Sequence, residues 1–342
     1  MDIQQHISLK PYNTFAVDVK ADFFVDVHDE QEIFDLISTE IFATQPHLIL
    51  GGWANILFTK DYEWLVIKVS LFGKEIVKQE GDFVYVKTGA WEVWHEVMMW
   101  ALEQWFVWWE NLVLIPGCIW AAPVGNIWAY SKEAKDIIYE VEWIDVITKE
   151  KRVWTNDECK FAYRESIFKH ALKNKVIITA VTFIFTKQSA RYLPDIQYTD
   201  IQDVLAEQWK DPVKITAQEV AHIIISLREK KLPDRKKIGT AGSFFKNPII
   251  EEIQFEKLLL KYPQLKWNIV AHGIKLSAGQ LIELAGYKGK SEWAVGTYNN
   301  HALIIVNTGG ASGSEIRAFA QAIQKKVLEL FEVNLKPEVI IL

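Results

Sequence analysis

The 342-residue chain is predicted to fold as an α+β protein, on three observations. Short alternating or apolar runs outnumber the helical stretches between them. Helices do not recur as crossovers between successive runs, as a regular βαβ array would require. Half of the residues are apolar, enough for more than one core, and at about 100–200 residues per domain the length suggests two or three domains.

Residues 23–27 alternate as a strand, and 29–38 place acids first with Ile33, Leu36 and Ile37 at helical spacing, a β-α start. Leu48-Ile49-Leu50 runs into Gly51-Gly52, and 65–69 resumes as a strand. Residues 83–87 alternate again, and 93–104 read as an amphipathic helix after the Gly89-Ala90 turn. Long β-rich runs occupy 137–146 and 176–186. From 187 to 235 the composition turns polar, with Pro194, Pro212 and Pro233 framing a helix at 217–230, and a domain boundary is expected there. Beyond it come a helix at 276–285, a strand at 302–306 and an amphipathic helix at 314–330, introduced by Ser312-Gly313-Ser314-Glu315. Its apolar face is Ile316, Phe319, Ala320, Ile323, Val327 and Leu330. The expected segments are 1–70, 71–215 and 216–342, with the last strand returning to the first segment.

Lys+Arg 38 against Asp+Glu 44 leaves a net charge of −6, without a basic run able to track a phosphate backbone, so no nucleic-acid partner is expected. Two cysteines, Cys118 and Cys159, supply neither a disulfide framework nor a C-x-x-C spacing, which fits a reducing compartment. The first ten residues are polar, and no apolar stretch approaches the roughly 18 residues of a membrane span. A soluble, cytoplasmic chain without a membrane partner is expected, acting as a monomer.

One pair of counts is abnormal. Average glycine usage of about 7% predicts about 24 glycines in a chain of this length. There are 17, and tryptophan reaches 15.

Three stretches are candidates for chemistry. The turn Gly51-Gly52-Trp53-Ala54-Asn55 follows an apolar strand, and successive N–H groups in such a turn can cradle a pyrophosphate, although most Gly-Gly turns only reverse the chain. In 115–126 the small residues Ala121 and Ala122 suggest close backbone packing against something flat. In 239–248 glycines expose Ser243 beside Phe244, Phe245, Lys246 and Asn247, which alone reads as a turn with a capping serine. Gly242-Ser243 lacks the G-x-S-x-G elbow, so hydrolysis is not indicated. A serine acting as a proton donor needs a partner that holds a developing anion.

Asn13-Thr14-Phe15, Leu50-Gly51-Gly52 with Asn55-Ile56-Leu57, Glu110-Asn111-Leu112 before Ile115-Pro116-Gly117, Tyr163-Arg164-Glu165-Ser166, 242–248 and Pro337-Glu338-Val339 occur in order. Together, over about residues 8–340, they resemble the UDP-N-acetylenolpyruvoylglucosamine reductase (MurB) family. Tyr198 within Ile196-Gln197-Tyr198-Thr199-Asp200 is similar to the tyrosine loop of its type I branch. The resemblance implies a two-subdomain FAD-binding fold of the vanillyl-alcohol-oxidase type plus a C-terminal α/β substrate domain. It further implies reduction of UDP-N-acetylglucosamine enolpyruvate to UDP-N-acetylmuramate, with NADPH reducing FAD and flavin N5 delivering hydride to C3. By match, Ser243 protonates C2, while Arg164 and Glu338 stabilise the enolate-like intermediate. Gly51, Gly52, Asn55, Pro116, Gly117, Ala122 and Asn126 match flavin-loop positions, and Tyr198, Lys231, Asn247 and Lys288 match UDP-sugar contacts. His95, His222, His272 and His301 have no metal spacing, and Cys118 reads as a packing residue.

The departures from the family pattern are systematic. Trp53, Trp91, Trp105, Trp108, Trp120 and Trp128 stand where family members carry glycine, and Trp64 and Trp293 extend the series. Trp94 and Trp100 sit in a helix, where an aromatic residue is ordinary. Ala54 stands for a frequent serine and Ile340 for a frequent arginine. Three explanations are open: a flavin-free pseudoenzyme that binds UDP-sugar without catalysis, its cleft filled by indoles; an indole platform that stacks on sugars; or UGA codons for glycine translated as tryptophan. The third accounts for one residue type replacing glycine, for both abnormal counts, and for the survival of the catalytic residues. It predicts TGA codons at Trp53, Trp105, Trp108, Trp120 and Trp128 and TGG at Trp94 and Trp100 in the coding DNA. TGG at every position would end it.

Overall fold

The computed structural model describes residues 1–50, 55–189, 192–208 and 210–342. The Gly51-Gly52 turn, Trp53 and Ala54 lie outside the described residues. The mixture of sheets and helices is the α+β class read from the sequence.

The chain forms two compact units that interleave in sequence. The first comprises Met1–Ile7, Asp22–Gly52 and Glu63–Arg228, and the second Ser8–Ala21, Trp53–Tyr62 and Glu229–Leu342. The sequence reading expected three consecutive segments; residues 8–21 and 53–62 instead belong with the C-terminal portion. The reason is backbone pairing. Thr240 N–H donates to Thr14 O at 2.8 Å, and the last strand, Ile340–Ile341, lies parallel to Ile56–Leu57.

In the first unit, one sheet has the order Ile3–Ser8, Lys20–Val27, Tyr62–Val69, His47–Leu50. Its last pair is parallel, with His47 opposite Leu65. The helix Glu30–Leu36 is capped by Asp29, whose side chain accepts from Glu32 N–H, and it buries Ile33 and Leu36 in a core shared with Val25, Val27, Leu65, Ile67 and Ile144. A larger antiparallel sheet has the order Lys151–Thr155, Ile138–Asp145, Val176–Lys187, Phe83–Gly89, Lys74–Glu80. The short strand Phe106–Val107 also pairs with Val176–Lys187. Beneath this sheet the helices Trp94–Glu103 and Ala217–Lys231 contribute Trp94, Val97, Met98, Val220 and Ile224 to one core.

The second unit contains the sheets Ile249–Ile250, Gly273–Leu276, Trp267–Val270 and Ser291–Glu292, Val295–Tyr298, His301–Asn307. Its long helix, Gly313–Phe331, opens on a capping box between Ser312 and Glu315. Phe331 fills the last core position of that helix and Leu330 is 36% exposed, which corrects the apolar face read from the sequence. The step from Val327 to Phe331 is four residues, the helical repeat that keeps one stripe inward. At Gly313 an added Cβ would lie 1.6 Å from Phe58 O, so only glycine lets the helix start against that backbone.

The tryptophans sort by environment. Trp94, Trp109 and Trp143 are fully buried, and Trp94 Nε1 donates to Leu112 O at 2.7 Å. Trp105, Trp108 and Trp293 instead have φ of 59°, 100° and 52° and are 60%, 51% and 74% exposed. A left-handed L residue costs roughly 1–2 kcal/mol, a cost glycine escapes. All three belong to the glycine-like series; Trp120, by contrast, is helical at φ −51°, and Trp128 lies in a short strand.

Trp293→Gly is therefore expected to exceed Trp293→Ala in stability by about 1 kcal/mol in urea titrations. At Trp128 the order should invert by roughly 0.5–1 kcal/mol in favour of alanine. Alanine equal to or better than glycine at position 293 would contradict its assignment as a glycine position.

Candidate functional site

The predicted site residues fall into two sets, one in each unit. In the first unit the loop through Pro116 and Gly117 follows the edge of Ala90–Trp94. Trp94 N–H donates to Gly117 O at 3.1 Å, Ile119 N–H to Glu92 O at 2.9 Å and Trp120 N–H to Ala90 O at 2.8 Å. Gly117 has φ 109°, a conformation that favours glycine. The next two N–H groups turn inward as well, Ala121 to Cys118 O and Ala122 to Ile119 O. With these donors used internally, the loop is not a nest of free N–H groups.

The short helix Ala121–Gly125 ends on Asn126, left-handed at φ 40°. Asn126 is fully buried, and its amide joins three pieces of chain. Nδ2 donates to Glu133 Oε2 at 2.5 Å and to Ala162 O at 2.9 Å, while Oδ1 accepts from Lys135 N–H at 3.0 Å. Its side chain therefore faces inward and organises loops, a role the sequence did not signal. A second tie runs from Ser166 Oγ to Val124 O at 2.8 Å. Between these ties Ala162 and Glu165 exchange both backbone hydrogen bonds at 3.0 Å. That tight turn carries Arg164 at φ 58°, with its carbonyl accepting from Lys169 Nζ at 2.5 Å. The structure thus brings Arg164 to the loop of Ala122 and Asn126. Tyr198 lies elsewhere in this unit, its ring edge-on to Tyr130 at 4.8 Å.

In the second unit Ser243 follows Gly242, whose φ is 79°. Thr240 fixes the approach: its hydroxyl donates to Ile305 O at 2.8 Å and accepts from Gly242 N–H at 3.1 Å. After Ser243, Phe244 and Phe245 are buried and edge-packed at 5.0 Å. Glu338 N–H donates to Phe244 O at 2.8 Å and Lys246 N–H to Lys336 O at 2.9 Å. Ser243 and the half-buried Glu338 are thereby held on neighbouring, backbone-paired segments. Asn55 joins them: its Nδ2 donates to Glu338 O at 3.1 Å, and its own carbonyl accepts from Ile340 N–H at 2.9 Å.

Lys231 and Lys288 converge on His301. Burial first, and then these two ammonium groups, hold the His301 imidazole below its ordinary range. Lys288 also pairs with Glu283 at 2.8 Å. Asn247 Oδ1 accepts from Ala278 N–H at 3.0 Å, fixing the start of the helix Ala278–Leu284. No spacing along the chain links His301 to the two lysines; only the fold does.

Both cysteines are buried free thiols, and burial pushes each up to about 12, so neither is a nucleophile. Among the described residues no group of three His, Cys, Asp or Glu side chains could hold a metal ion, and no helix is long and apolar enough to cross a membrane. The stretch 116–126 carries little side-chain bulk at Gly117, Ala121, Ala122 and Gly125, whereas Trp120 adds an indole to it. Trp120 Nε1 is buried without a hydrogen-bond partner, a defect of about 1–3 kcal/mol that glycine would remove.

A family model described as UDP-N-acetylenolpyruvoylglucosamine reductase, C-terminal domain, matches residues 233–342. The chain is 41% identical over 341 residues to the UDP-N-acetylenolpyruvoylglucosamine reductase of Flavobacterium johnsoniae, covering 99% of each chain. It is 39% identical over 344 residues to that of Chromobacterium violaceum, covering 100% of this chain and 99% of the other. Among solved structures it is similar to UDP-N-acetylenolpyruvylglucosamine reductase (MurB) from Thermus caldophilus, with TM-score 0.65, 21% identity and 99% of both chains covered. That likeness shows a shared fold.

Asn126→Ala should cost about 2–4 kcal/mol in urea unfolding, because it strands buried partners and places alanine in a left-handed conformation. A cost below about 0.5 kcal/mol, the scale of an ordinary surface substitution, would show that the amide does not organise these loops.

Proposed function

The chain belongs to the UDP-N-acetylenolpyruvoylglucosamine reductase family, an oxidoreductase family of peptidoglycan synthesis, and on that premise we propose that it reduces UDP-N-acetylglucosamine enolpyruvate to UDP-N-acetylmuramate with FAD and NADPH. The observation that supports this most is the backbone pairing of 244–246 with 336–338, which brings the segments that carry Ser243 and Glu338 side by side.

FAD, when bound, would supply hydride chemistry between NADPH and C3 of the enolpyruvyl ether. The remaining task belongs to the chain. Hydride addition at C3 leaves charge on C2 and its conjugated carboxylate, where a fixed guanidinium is worth most in a site closed to water. Arg164 has that role, and Glu338 stabilises the same enolate-like species. Ser243 then delivers its hydroxyl proton to C2. A serine is a poor acid in water, but a strongly basic carbon needs no better one. Lys231 and Lys288 are cations suited to the diphosphate, with Asn247 and Tyr198 as neutral donors. By the family match, Gly51, Gly52, Asn55, Pro116, Gly117, Ala122 and Asn126 would hold the flavin.

The Trp120 indole packs, partly buried, against the core of the first unit, and that favours a second reading, a flavin-free protein that binds UDP-sugar without turnover. One experiment separates the two. In the chain carrying glycine at the recoded positions, Ser243→Ala should keep NADPH-driven flavin bleaching and lose substrate-driven reoxidation by about 10²–10⁴-fold. Reoxidation at the parent rate would remove Ser243 from the mechanism. A colourless parent that still binds UDP-sugar would support the second reading.

A further inference from the structure

The short 3-10 helix Glu110–Leu112 carries a buried carboxyl group that the reduction does not use. Glu110 is 1% exposed, and burial, the dominant influence, raises its carboxyl above the ordinary carboxylate range. Its two oxygens are both occupied: Tyr192 Oη donates to Oε1, and the backbone N–H of residue 108 donates to Oε2 at 3.2 Å. The neighbouring Asn111 reaches the same stretch of chain. Its Nδ2 donates to Asp195 O at 3.0 Å and to Tyr130 O at 3.2 Å. Lys132 Nζ closes the set on Asp195 Oδ2 at 3.2 Å.

All of these partners lie on the segment 192–195 or on its support, and three residues further on stands Tyr198. Tyr198 is 39% exposed, and its ring rests on Tyr130, whose carbonyl Asn111 also holds. An exposed segment with a buried fastening needs a reason, because burying a carboxyl group costs several kcal/mol unless its hydrogen bonds are made.

We propose that Glu110 and Tyr192 form a latch, seconded by Asn111 and Lys132, that fixes the segment 192–198 so that Tyr198 is presented in one orientation to the UDP-sugar. Glu110 and Tyr192 are positioning residues. The inference rests on the reading of Tyr198 as a UDP-sugar contact. The hydrogen bond to Glu110 uses the backbone N–H of residue 108 and survives replacement of that residue by glycine, whereas the Trp108 ring also lies edge-on to Tyr192 at 6.1 Å and under Lys132 Nζ at 5.4 Å, contacts that glycine would remove. Its function is to convert a flexible, entropically expensive contact into a preorganised one.

The test compares the parent chain with Tyr192→Phe, using UDP-N-acetylglucosamine as the probe and amide hydrogen exchange over 192–198 as a second readout. Tyr192→Phe should accelerate exchange in that segment and weaken UDP-N-acetylglucosamine binding about tenfold, the effect of losing one hydrogen bond to a buried charge-bearing group. In the flavin-loaded chain KM for the enolpyruvyl substrate should rise by the same factor while kcat at saturation holds, a split that general loss of structure would not give. Glu110→Gln, whose amide oxygen still accepts from Tyr192, should restore most of the affinity that Glu110→Ala loses, and it serves if Tyr192→Phe does not fold. Unchanged exchange and unchanged affinity would overturn the latch. Faster exchange with unchanged affinity would overturn its role in presenting Tyr198. A parent chain that binds the probe but turns over no substrate would count against the reductase reading alone, because the affinity difference would still be measurable.

Discussion

One buried amide holds the functional loops of the first unit in place. Asn126 sits in a left-handed conformation, which asparagine tolerates better than most residues, and it spends every polar atom of its side chain on other loops. The turn that carries Arg164 is flanked by Phe161, Ile167 and Phe168, which pack into the core of this unit, and the Asn126 bond to Ala162 and the Ser166 bond to Val124 tie it to the loop 122–126. The catalytic role proposed for Arg164 depends on such ties, because electrostatic stabilisation needs donors that do not have to move during the reaction.

The second unit reaches the same end through backbone pairing. Ser243 has ordered chain on both sides: a threonine-fixed turn before it and two buried phenylalanines after it. Glu338 belongs to a segment that hydrogen-bonds to Phe244 and to Asn55. Close backbone approaches at Gly239, where a Cβ would lie 2.3 Å from Phe15 O, and at Gly313 lock the segments 8–21 and 53–62 into this unit. That is why residues so distant in sequence share one core, and why a division into consecutive segments does not describe the chain.

What could be read beforehand follows from burial. Elements with one face inward announced themselves, as with Glu30–Leu36 and Gly313–Phe331, and Val176–Lys187, buried on both faces, did so as a continuous β-rich run. The strand Lys74–Glu80 did not, because all of its residues are exposed and no alternation arises; Lys151–Thr155 was hidden for a similar reason. The helices Thr199–Glu207 and Glu252–Lys261 bury only two residues each, too few to impose a visible period. Site residues were legible through the order of several motifs and not through any single spacing, since Ser243 alone reads as a capping serine. Asn126 could be found but not understood, because its partners are 7 to 36 residues away. The tryptophan excess was visible as composition, but only the backbone angles separate Trp105, Trp108 and Trp293 from core indoles such as Trp143.

The account therefore turns on one question: whether the loops beside Asn126 present glycine or indole to a ligand. The most direct measurement is made on the protein purified from its own cells, by peptide mass mapping across residues 105–128 together with the visible absorption spectrum. The account predicts glycine-mass peptides at 105, 108, 120 and 128 from a protein that carries a flavin band. Indole-mass peptides at those positions, from a colourless protein, would contradict it.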